Sequence, residues 1–473
     1  MLKKFLLPLA LCLAAVCATT VRAATPDIVF MSDFGLTDDS VAQCKAVMLS
    51  KAPNARITDL THNVEPFNIR LAAFLLADSA KLWPAGTVFV AVVDPGVGTA
   101  RHSIALETKT GQYFVGPDNG LFTLVLRRDG LKRAVELKNK AFFRPGVTTT
   151  FHGRDVFSPV GAALADDKTV FAKLGPALKD PVQLSWDAPS CDGTKFSGTV
   201  LYVEAPYGNI ATDIGEDIVN SAGLVFGSTV TVSVAGKTLD MPFVRTFGDV
   251  PQNAPLAYIN SRGLLSFALD MGNFAATYNV KNGDAASVFL STDAFIDIER
   301  AASGKVFFDI RYATKNNFTH QQVYPSAHCY LKKPAAQGLM KAAQLAANAP
   351  KPFKLCVLDC YRPLSVQKRF WSIVPDERYV ADPAKGSRHN RGMAVDLAAC
   401  DANGKWLDLP TGFDDFSDHA HRDYAGNSPS AEANSKMLEG VMKQAGFAGL
   451  STEWWHFDYP GWEIMPVTDT PFE

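Results

Sequence analysis

The sequence predicts a multidomain protein of mixed class: an α/β domain with a mainly parallel sheet, a small antiparallel β-barrel and a C-terminal α+β domain. Strand and helix patterns alternate up to roughly residue 185, and short alternating strands with Gly, Asn and Pro turns follow from about residue 195. Mixed helix and strand patterns follow residue 305, and the length of 473 residues allows about three domains. The predicted domains span residues 24–188, 189–296 and 297–473.

The first 23 residues have the three parts of a secretory signal peptide. Lys3 and Lys4 give a basic start, residues 5–16 are apolar, and residues 21–23 form a small-residue cleavage site. The apolar run is too short to span a bilayer, and no later run reaches 18 uninterrupted apolar residues. We therefore expect an exported, periplasmic protein without a membrane span.

The composition is that of an ordinary globular protein, with 47% apolar and 20% charged residues. The formal net charge of −2 provides no general attraction to nucleic acid or to an acidic membrane surface. We therefore expect no nucleic-acid partner.

Six cysteines follow the signal segment, and four of them lie in the last third of the chain. Export to an oxidising compartment favours one or two disulfides there. The spacing leaves the pairing open among Cys329, Cys356, Cys360 and Cys400.

The α/β domain begins with a buried strand over residues 28–31, which is followed by apolar residues at helical spacing. A predicted helix over 69–82 and a strand over 88–94 repeat the unit. Ligands bind at the carboxyl ends of the strands in such sheets, where Asp33 and Asp94 lie.

The second domain is predicted from short alternating runs, and the third from a mixture of helices and strands. We interpret residues 301–305 as a linker between them. In the third domain, Ser428 and Pro429 begin an amphipathic helix that Gly446 ends. The alternating runs of the second domain cover residues 199–204, 229–235 and 287–290.

Two short runs near the C-terminus have the residue types of a catalytic zinc site. His389 and Asp396 are seven residues apart, Gly392 allows a turn between them, and apolar alternation places Asp396 on a strand. With His456, sixty residues further on, they make a three-ligand set that leaves the fourth position open for water. Glu453 is not needed as a ligand and can act as the general base on that water.

Six separated motifs of the first two domains resemble the S-adenosylmethionine hydroxide adenosyltransferases, relatives of fluorinating and chlorinating enzymes. The resemblance covers about residues 27–292 and implies S-adenosylmethionine held at the interface of the α/β and barrel domains, often in a homotrimer. The motifs are Met31-Ser-Asp-Phe-Gly-Leu-Thr-Asp-Asp-Ser40, Val92-Val-Asp-Pro-Gly-Val-Gly-Thr99, Pro117-Asp-Asn-Gly120, Phe151-His-Gly-Arg-Asp155, Tyr207-Gly-Asn209 and Asn260-Ser-Arg-Gly263.

This resemblance also implies site residues. Asp33 would bind the ribose hydroxyls, and a second set would contact the adenine or methionine ends, namely Asn209, Ser261 and Arg262. A third set would position and activate water for attack at the ribose C5′, releasing adenosine and methionine, namely Asp94, Arg101 and His152. The halogenating relatives have an aromatic residue in place of Asp94, which favours hydrolysis. The alternatives are that Asp94 only holds a turn and that His152 is a buried core histidine.

Residues 305–465 resemble the D-alanyl-D-alanine dipeptidases. The resemblance implies that His389, Asp396 and His456 bind zinc, that Glu453 is the base, and that Arg362 stabilises the oxyanion. The motifs are Asp309-Ile-Arg-Tyr-Ala-Thr-Lys-Asn-Asn-Phe-Thr319, Asp359-Cys-Tyr-Arg-Pro363, residues 387–396, Phe413-Asp-Asp-Phe-Ser417 and Glu453-Trp-Trp-His-Phe457.

Other readings of single residues stay open at this point. Arg362 could form a surface salt bridge, and His419 and His421 are rival ligands that we do not assign. We interpret Trp454 and Trp455 as core packing, because large aromatic side chains dominate cores.

We therefore expect an exported chain with two enzyme modules and one Zn²⁺ per chain. The main predicted reaction is hydrolysis of D-Ala-D-Ala in cell-wall peptide metabolism, and the second is hydrolysis of S-adenosylmethionine. The alternatives to the first are a D,D-carboxypeptidase acting on peptidoglycan peptides and a non-catalytic, zinc-containing module that binds the wall.

Overall fold

The computed structural model describes residues 27–193 and 195–471, and it divides between Trp186 and Asp187 into two compact units. The predicted signal peptide at residues 1–23 lies outside the described residues. Within them, no helix combines the length and the apolar character needed to cross a membrane.

The first unit is an α/β fold built on one six-stranded sheet. Its strands are β1 (Asp27–Ser32), β2 (Arg56–Thr61), β3 (Val88–Val92), β4 (Ser103–Thr108), β5 (Tyr113–Pro117) and β6 (Leu131–Glu136). Its helices are α1 (Ser40–Lys51), α2 (Ile69–Ala80), α3 (Thr123–Asp129) and α4 (Ser158–Asp166), and a π-helical turn, Gly153–Phe157, precedes α4.

The sheet order is β2-β1-β3-β5-β4-β6. The first four strands in this order are parallel neighbours, as the alternating strand and helix pattern predicts. Strand β4 instead pairs antiparallel with both β5 and β6, so the sheet is mixed at one edge. Asp33 and Asp94 follow β1 and β3, whose carboxyl ends are adjacent in the sheet.

The second unit begins with a barrel-like antiparallel sheet. Its strands are β7 (Ser190–Cys191), β8 (Lys195–Glu204), β9 (Asn209–Gly215), β10 (Thr229–Val234), β11 (Lys237–Pro242), β12 (Pro255–Ile259), β13 (Leu264–Leu269) and β14 (Ala285–Leu290), with helices α5 (Glu216–Ser221) and α6 (Phe274–Tyr278). The order β11-β10-β14-β8-β9-β13-β12 has β11 and β12 at its ends. A bridge between Phe243 and Ala257 brings these ends together, so the sheet is nearly closed, as predicted.

The rest of the second unit is a five-stranded sheet with helices and a two-stranded sheet. The strands are β15 (Phe295–Asp297), β16 (Phe307–Phe308), β17 (Tyr330–Lys332), β18 (Lys354–Asp359), β19 (Ala394–Cys400), β20 (Ala448–Gly449) and β21 (His456–Asp458). The helices are α7 (Ile298–Ala301), α8 (Lys333–Ala347), α9 (Leu364–Ile373) and α10 (Pro429–Ala445). Helix α10 begins after Ser428, whose side chain accepts from the Ala431 N–H, and ends at Gly446 with a φ of 104°, as predicted.

The barrel and the last part of the chain share one hydrophobic cluster, which runs from Phe196 of β8 to Met465. The predicted linker at residues 301–305 does not separate two compact units, because the second unit continues through it. Ala302 is fully buried, and its N–H donates to the Ile298 carbonyl at the end of α7, whereas residues 303–305 form an exposed turn.

Candidate active sites

The second unit brings the three predicted metal ligands together. Neighbouring strands place Asp359, Asp396 and His456 side by side, because Asp396 of β19 pairs with Asp359 of β18 and with His456 of β21. His389 reaches the same point from a short helical turn that ends at Gly392, whose φ is 65°. Its left-handed backbone lets the chain turn directly into β19.

Three donor atoms form a compact triangle. His389 Nε2 lies 3.1 Å from His456 Nδ1, His456 Nδ1 lies 2.9 Å from Asp396 Oδ1, and His389 Nε2 lies 3.4 Å from Asp396 Oδ1. Tetrahedral zinc with bonds of about 2.0–2.1 Å separates its ligand atoms by roughly 3.3 Å. This buried His/Asp/His group therefore fits such an ion.

Each imidazole is oriented by a hydrogen bond from its far nitrogen. His389 Nδ1 donates to the Cys360 carbonyl at 2.6 Å, and His456 Nε2 donates to Asp458 Oδ1 at 2.8 Å. The Cys360 carbonyl can only accept, and the Asp458 carboxylate accepts. Once each ring is neutral, its lone pair therefore lies on the nitrogen in the triangle, His389 Nε2 or His456 Nδ1.

The same contacts set the charges of the cluster. Burial acts to raise the pKa of Asp396, but the His389 and His456 side chains outweigh it and hold that pKa well below its usual range. Burial acts to lower the pKa of His456, but hydrogen bonds to Asp396 and Asp458 raise it to about 10. A metal ion bound at this cluster must displace a proton, so its affinity falls in acid.

Glu453 lies beside the triangle, with Oε2 3.9 Å from His456 Nδ1. Burial raises the pKa of Glu453 by more than the nearby His456 lowers it, and the resulting pKa is about 7. A carboxylate with a pKa near neutrality can both accept and return a proton.

Arg362 is buried rather than a surface salt bridge. Its Nη2 donates to Asp359 Oδ2 at 2.7 Å, its Nε to the same oxygen at 3.2 Å, and its Nη1 to Gln367 Oε1 at 3.0 Å. The Tyr324 hydroxyl donates to the other oxygen of Asp359 at 2.7 Å. These bonds fix the guanidinium in a buried position that also lines the cavity beside the metal-ligand group.

The metal-ligand group, Glu453 and Arg362 line a cavity of about 470 Å³, a size suited to a small ligand. Trp454 and Trp455 are both buried in the hydrophobic core, which confirms the predicted packing. Trp454 donates to Thr411 Oγ1 at 2.9 Å, and Trp455 also lines the cavity. Neither His419 nor His421 belongs to the His/Asp/His group.

The first unit brings the predicted water-activating residues together. Arg101 Nε donates to Asp94 Oδ1 at 2.8 Å, its Nη2 donates to Asp94 Oδ2, and Nη2 lies 3.1 Å from His152 Nδ1. Burial, aided by Arg101, lowers the pKa of His152, so this imidazole is neutral at pH 7. Asp33 Oδ2 accepts from the Phe67 N–H at 3.1 Å, and burial raises the pKa of Asp33, with Asp94 adding to the effect.

The remaining predicted residues belong to the barrel. Asn209 and Ser261 line a cavity of about 870 Å³, which also has aromatic walls from Tyr202 and Tyr258. Arg262 does not line this cavity, and its guanidinium lies 6.0 Å from the Tyr202 ring centre.

Comparisons with known proteins match both parts of the chain. Residues 28–175 and 198–287 match the N-terminal and C-terminal domains of SAM hydroxide adenosyltransferase, and residues 294–472 match the D-ala-D-ala dipeptidase family. An (R)-S-adenosyl-L-methionine hydrolase of Salinispora arenicola is 38% identical, covering 56% of this chain and 98% of that protein. The D-alanyl-D-alanine dipeptidase of Escherichia coli is 37% identical, covering 35% of this chain and 84% of that protein. The chain belongs to both families.

Further similarities agree with the adenosyltransferase assignment. A fluorinase of Actinoplanes sp. is 33% identical, covering 56% of this chain and 97% of that protein. The crystal structure of an uncharacterized conserved protein from Thermotoga maritima matches with a TM-score of 0.53 and 36% identity, covering 55% of this chain and 99% of that one. The chain is thus a fusion of an adenosyltransferase-like module and a dipeptidase-like domain, and both parts support an enzyme of hydrolase type.

Sequence reasoning missed several partners in the dipeptidase-like domain. Asp458 lies two residues after His456 on one strand, and this spacing places both on one face, so a search for carboxylates beside the ligands would find it. The Cys360 carbonyl has no side-chain signature and could not be found this way. Asp414 was also missed: burial raises its pKa to about 7, although the Tyr312 hydroxyl donates to it at 2.9 Å.

Proposed function

We propose that the C-terminal domain is a zinc-dependent dipeptidase acting on D-Ala-D-Ala, with one ion held by His389, Asp396 and His456. The triangle of donor atoms, 2.9–3.4 Å apart, is the observation that carries this proposal. Bound there, Zn²⁺ would acidify a water molecule and polarise the scissile carbonyl.

Glu453 supplies the proton transfers. Its carboxylate, 3.9 Å from His456 Nδ1, takes a proton from the attacking water and returns it to the leaving amine. The raised pKa of about 7 suits both directions of transfer.

Arg362 supplies positive charge for the oxyanion that forms when water adds to the peptide carbonyl. Asp359 and Gln367 hold its guanidinium in place before the reaction, so little reorganisation is needed. Removing one such donor typically costs about 2.7–4 kcal/mol of transition-state stabilisation.

The size of the cavity favours a dipeptide as substrate, since about 470 Å³ holds a small ligand. A D,D-carboxypeptidase acting on longer wall peptides uses the same chemistry and is the enzyme alternative. Glu453 and Arg362 argue against a non-catalytic wall-binding module, since a structural zinc site needs neither a free carboxylate nor a nearby guanidinium.

We propose that the N-terminal module hydrolyses S-adenosylmethionine, because Asp94, Arg101 and His152 form one hydrogen-bonded group. Asp94 would orient the water that attacks the ribose C5′, and methionine would leave. Asp33 would bind the ribose.

We also propose that the chain is exported to the periplasm after removal of residues 1–23, where it meets wall-derived dipeptides. The disulfide between Cys329 and Cys360 supports this location, because such bonds persist in oxidising compartments.

One experiment tests both activities. The purified chain is incubated with D-Ala-D-Ala and with S-adenosylmethionine, with and without a zinc chelator, and free D-alanine, adenosine and methionine are measured. We expect all three products without chelator and loss of D-alanine alone with it. Failure to release D-alanine from the zinc-loaded chain would refute the dipeptidase, and a tripeptide ending in D-Ala-D-Ala cleaved faster than the dipeptide would favour the carboxypeptidase.

A further inference from the structure

The disulfide between Cys329 and Cys360 is connected to the metal-ligand cluster through the Cys360 carbonyl, which accepts from His389. Cys329 precedes β17, and Cys360 is the first residue after β18. Both residues are buried, and the Tyr361 N–H donates to the Tyr330 carbonyl at 2.9 Å beside the bond. The disulfide thus ties the end of a central strand to the neighbouring two-stranded sheet.

The backbone of Cys360 is part of the site through its carbonyl. This oxygen accepts from His389 Nδ1 at 2.6 Å, and the bond turns His389 Nε2 towards Asp396 and His456. A shift of the Cys360 carbonyl would therefore rotate a ligand ring.

The residues on both sides of Cys360 also contact the site. Asp359 holds the Arg362 guanidinium, and the Arg362 N–H donates to the His389 carbonyl at 3.1 Å. Cys360 itself lies beyond the last paired residue of β18, so the strand ladder does not fix it. The disulfide is the covalent restraint on this short segment.

We propose that the Cys329–Cys360 disulfide is a positioning element of the metal site, holding the Cys360 carbonyl where His389 donates to it. Loss of the bond lets the carbonyl move and weakens zinc binding. This inference rests on the proposed zinc site. Opening the bond takes two electrons and two protons from a reductant such as a thiol and leaves two cysteine thiols.

The test compares zinc affinities of folded proteins, measured by competition with a chromophoric chelator. The double variant Cys329→Ala/Cys360→Ala lacks the bond, and the control Cys356→Ala/Cys400→Ala removes two buried free cysteines from the same sheet. Loss of an outer contact to a metal ligand typically costs about 10–100-fold in affinity. We expect that loss in the first variant and a change below about twofold in the control.

A second arm needs no substitution. Wild-type chain produced in a reducing cytoplasm is measured before and after oxidation by oxidised glutathione, with thiol titration to follow closure of the bond. We expect zinc affinity to rise about 10–100-fold on oxidation and the double variant to show no response.

The outcomes separate two failures. Equal zinc affinity of the reduced and oxidised wild type overturns the positioning role, even where the double variant does not fold. A chain that binds no zinc in its oxidised state refutes the proposed metal site itself. A lower melting temperature with unchanged zinc affinity would show that the bond only stabilises the fold, and would also overturn the inference.

Discussion

Asp458 is expected to tune the metal affinity of the dipeptidase-like domain without touching the ion. Its Oδ1 accepts from His456 Nε2 at 2.8 Å, and its Oδ2 lies 3.2 Å from Arg388 Nη1. Asp458→Asn keeps an oxygen acceptor of the same size but removes the negative charge that makes the imidazole a stronger ligand.

The size of the effect follows from this contact. Hydrogen bonds to charged groups contribute about 1.5–3 kcal/mol, and converting a charged acceptor into a neutral one forfeits roughly half of that. A loss of about 1.4 kcal/mol is a tenfold change in affinity. We therefore expect Asp458→Asn to weaken zinc binding about tenfold, and Asp458→Ala, which leaves the His456 N–H without its partner, up to about 100-fold.

Competition against a chromophoric chelator at pH 7 measures both constants, with circular dichroism to verify folding. The matched control is Arg388→Gln, which removes the other partner of Asp458 and leaves the His456 contact intact. The Arg388 side chain is 37% exposed, so its pair is screened and its loss should alter zinc affinity less than about threefold. Equal zinc affinities for Asp458→Ala and wild type would refute the reasoning.

Three further predictions concern other sites. Glu453→Gln should lower the kcat for D-alanine release by about 10²–10⁴-fold while zinc stays bound, and unchanged turnover would exclude Glu453 as the base. Asp94→Asn should lower adenosine release from S-adenosylmethionine at least about 100-fold and leave D-alanine release unaltered, which a two-substrate assay checks. Burial acts to raise the pKa of Asp155, but Arg154 and Thr148 lower it from 3.8 to about 2. This stabilisation is complete above pH 3.8 and is lost as pH falls towards 2, so Asp155→Asn should cost the first unit about 2 kcal/mol at pH 7 in a denaturant titration and flatten that pH dependence.

The local pattern around His389 and Asp396 was predictable because turn and strand signals are local. Gly392 supplies the left-handed turn, and apolar alternation indicates the strand that holds Asp396. The contact between these residues and His456, sixty positions away, depends on the pairing of β19 with β21. Residue types and the family resemblance both grouped His456 with the other two ligands, but neither predicted the strand pairing that brings them together.

Features that depend on packing could not be predicted. The four cysteines of the last third allowed several pairings, of which the structure forms Cys329–Cys360 and leaves Cys356 and Cys400 free. Residues 301–305 were interpreted as a linker, but Ala302 is buried in the hydrophobic cluster that the barrel shares with the last part of the chain.

The shared hydrophobic cluster of the second unit limits how this fusion can be divided. A fragment beginning at residue 297 would lose Phe295 and Ile296, which pair with Lys332 and Leu331 across β15 and β17. It would also expose the apolar surface that now faces the barrel, and exposed patches of this kind promote aggregation. Separating the dipeptidase-like domain from the barrel would therefore require polar replacements at this surface.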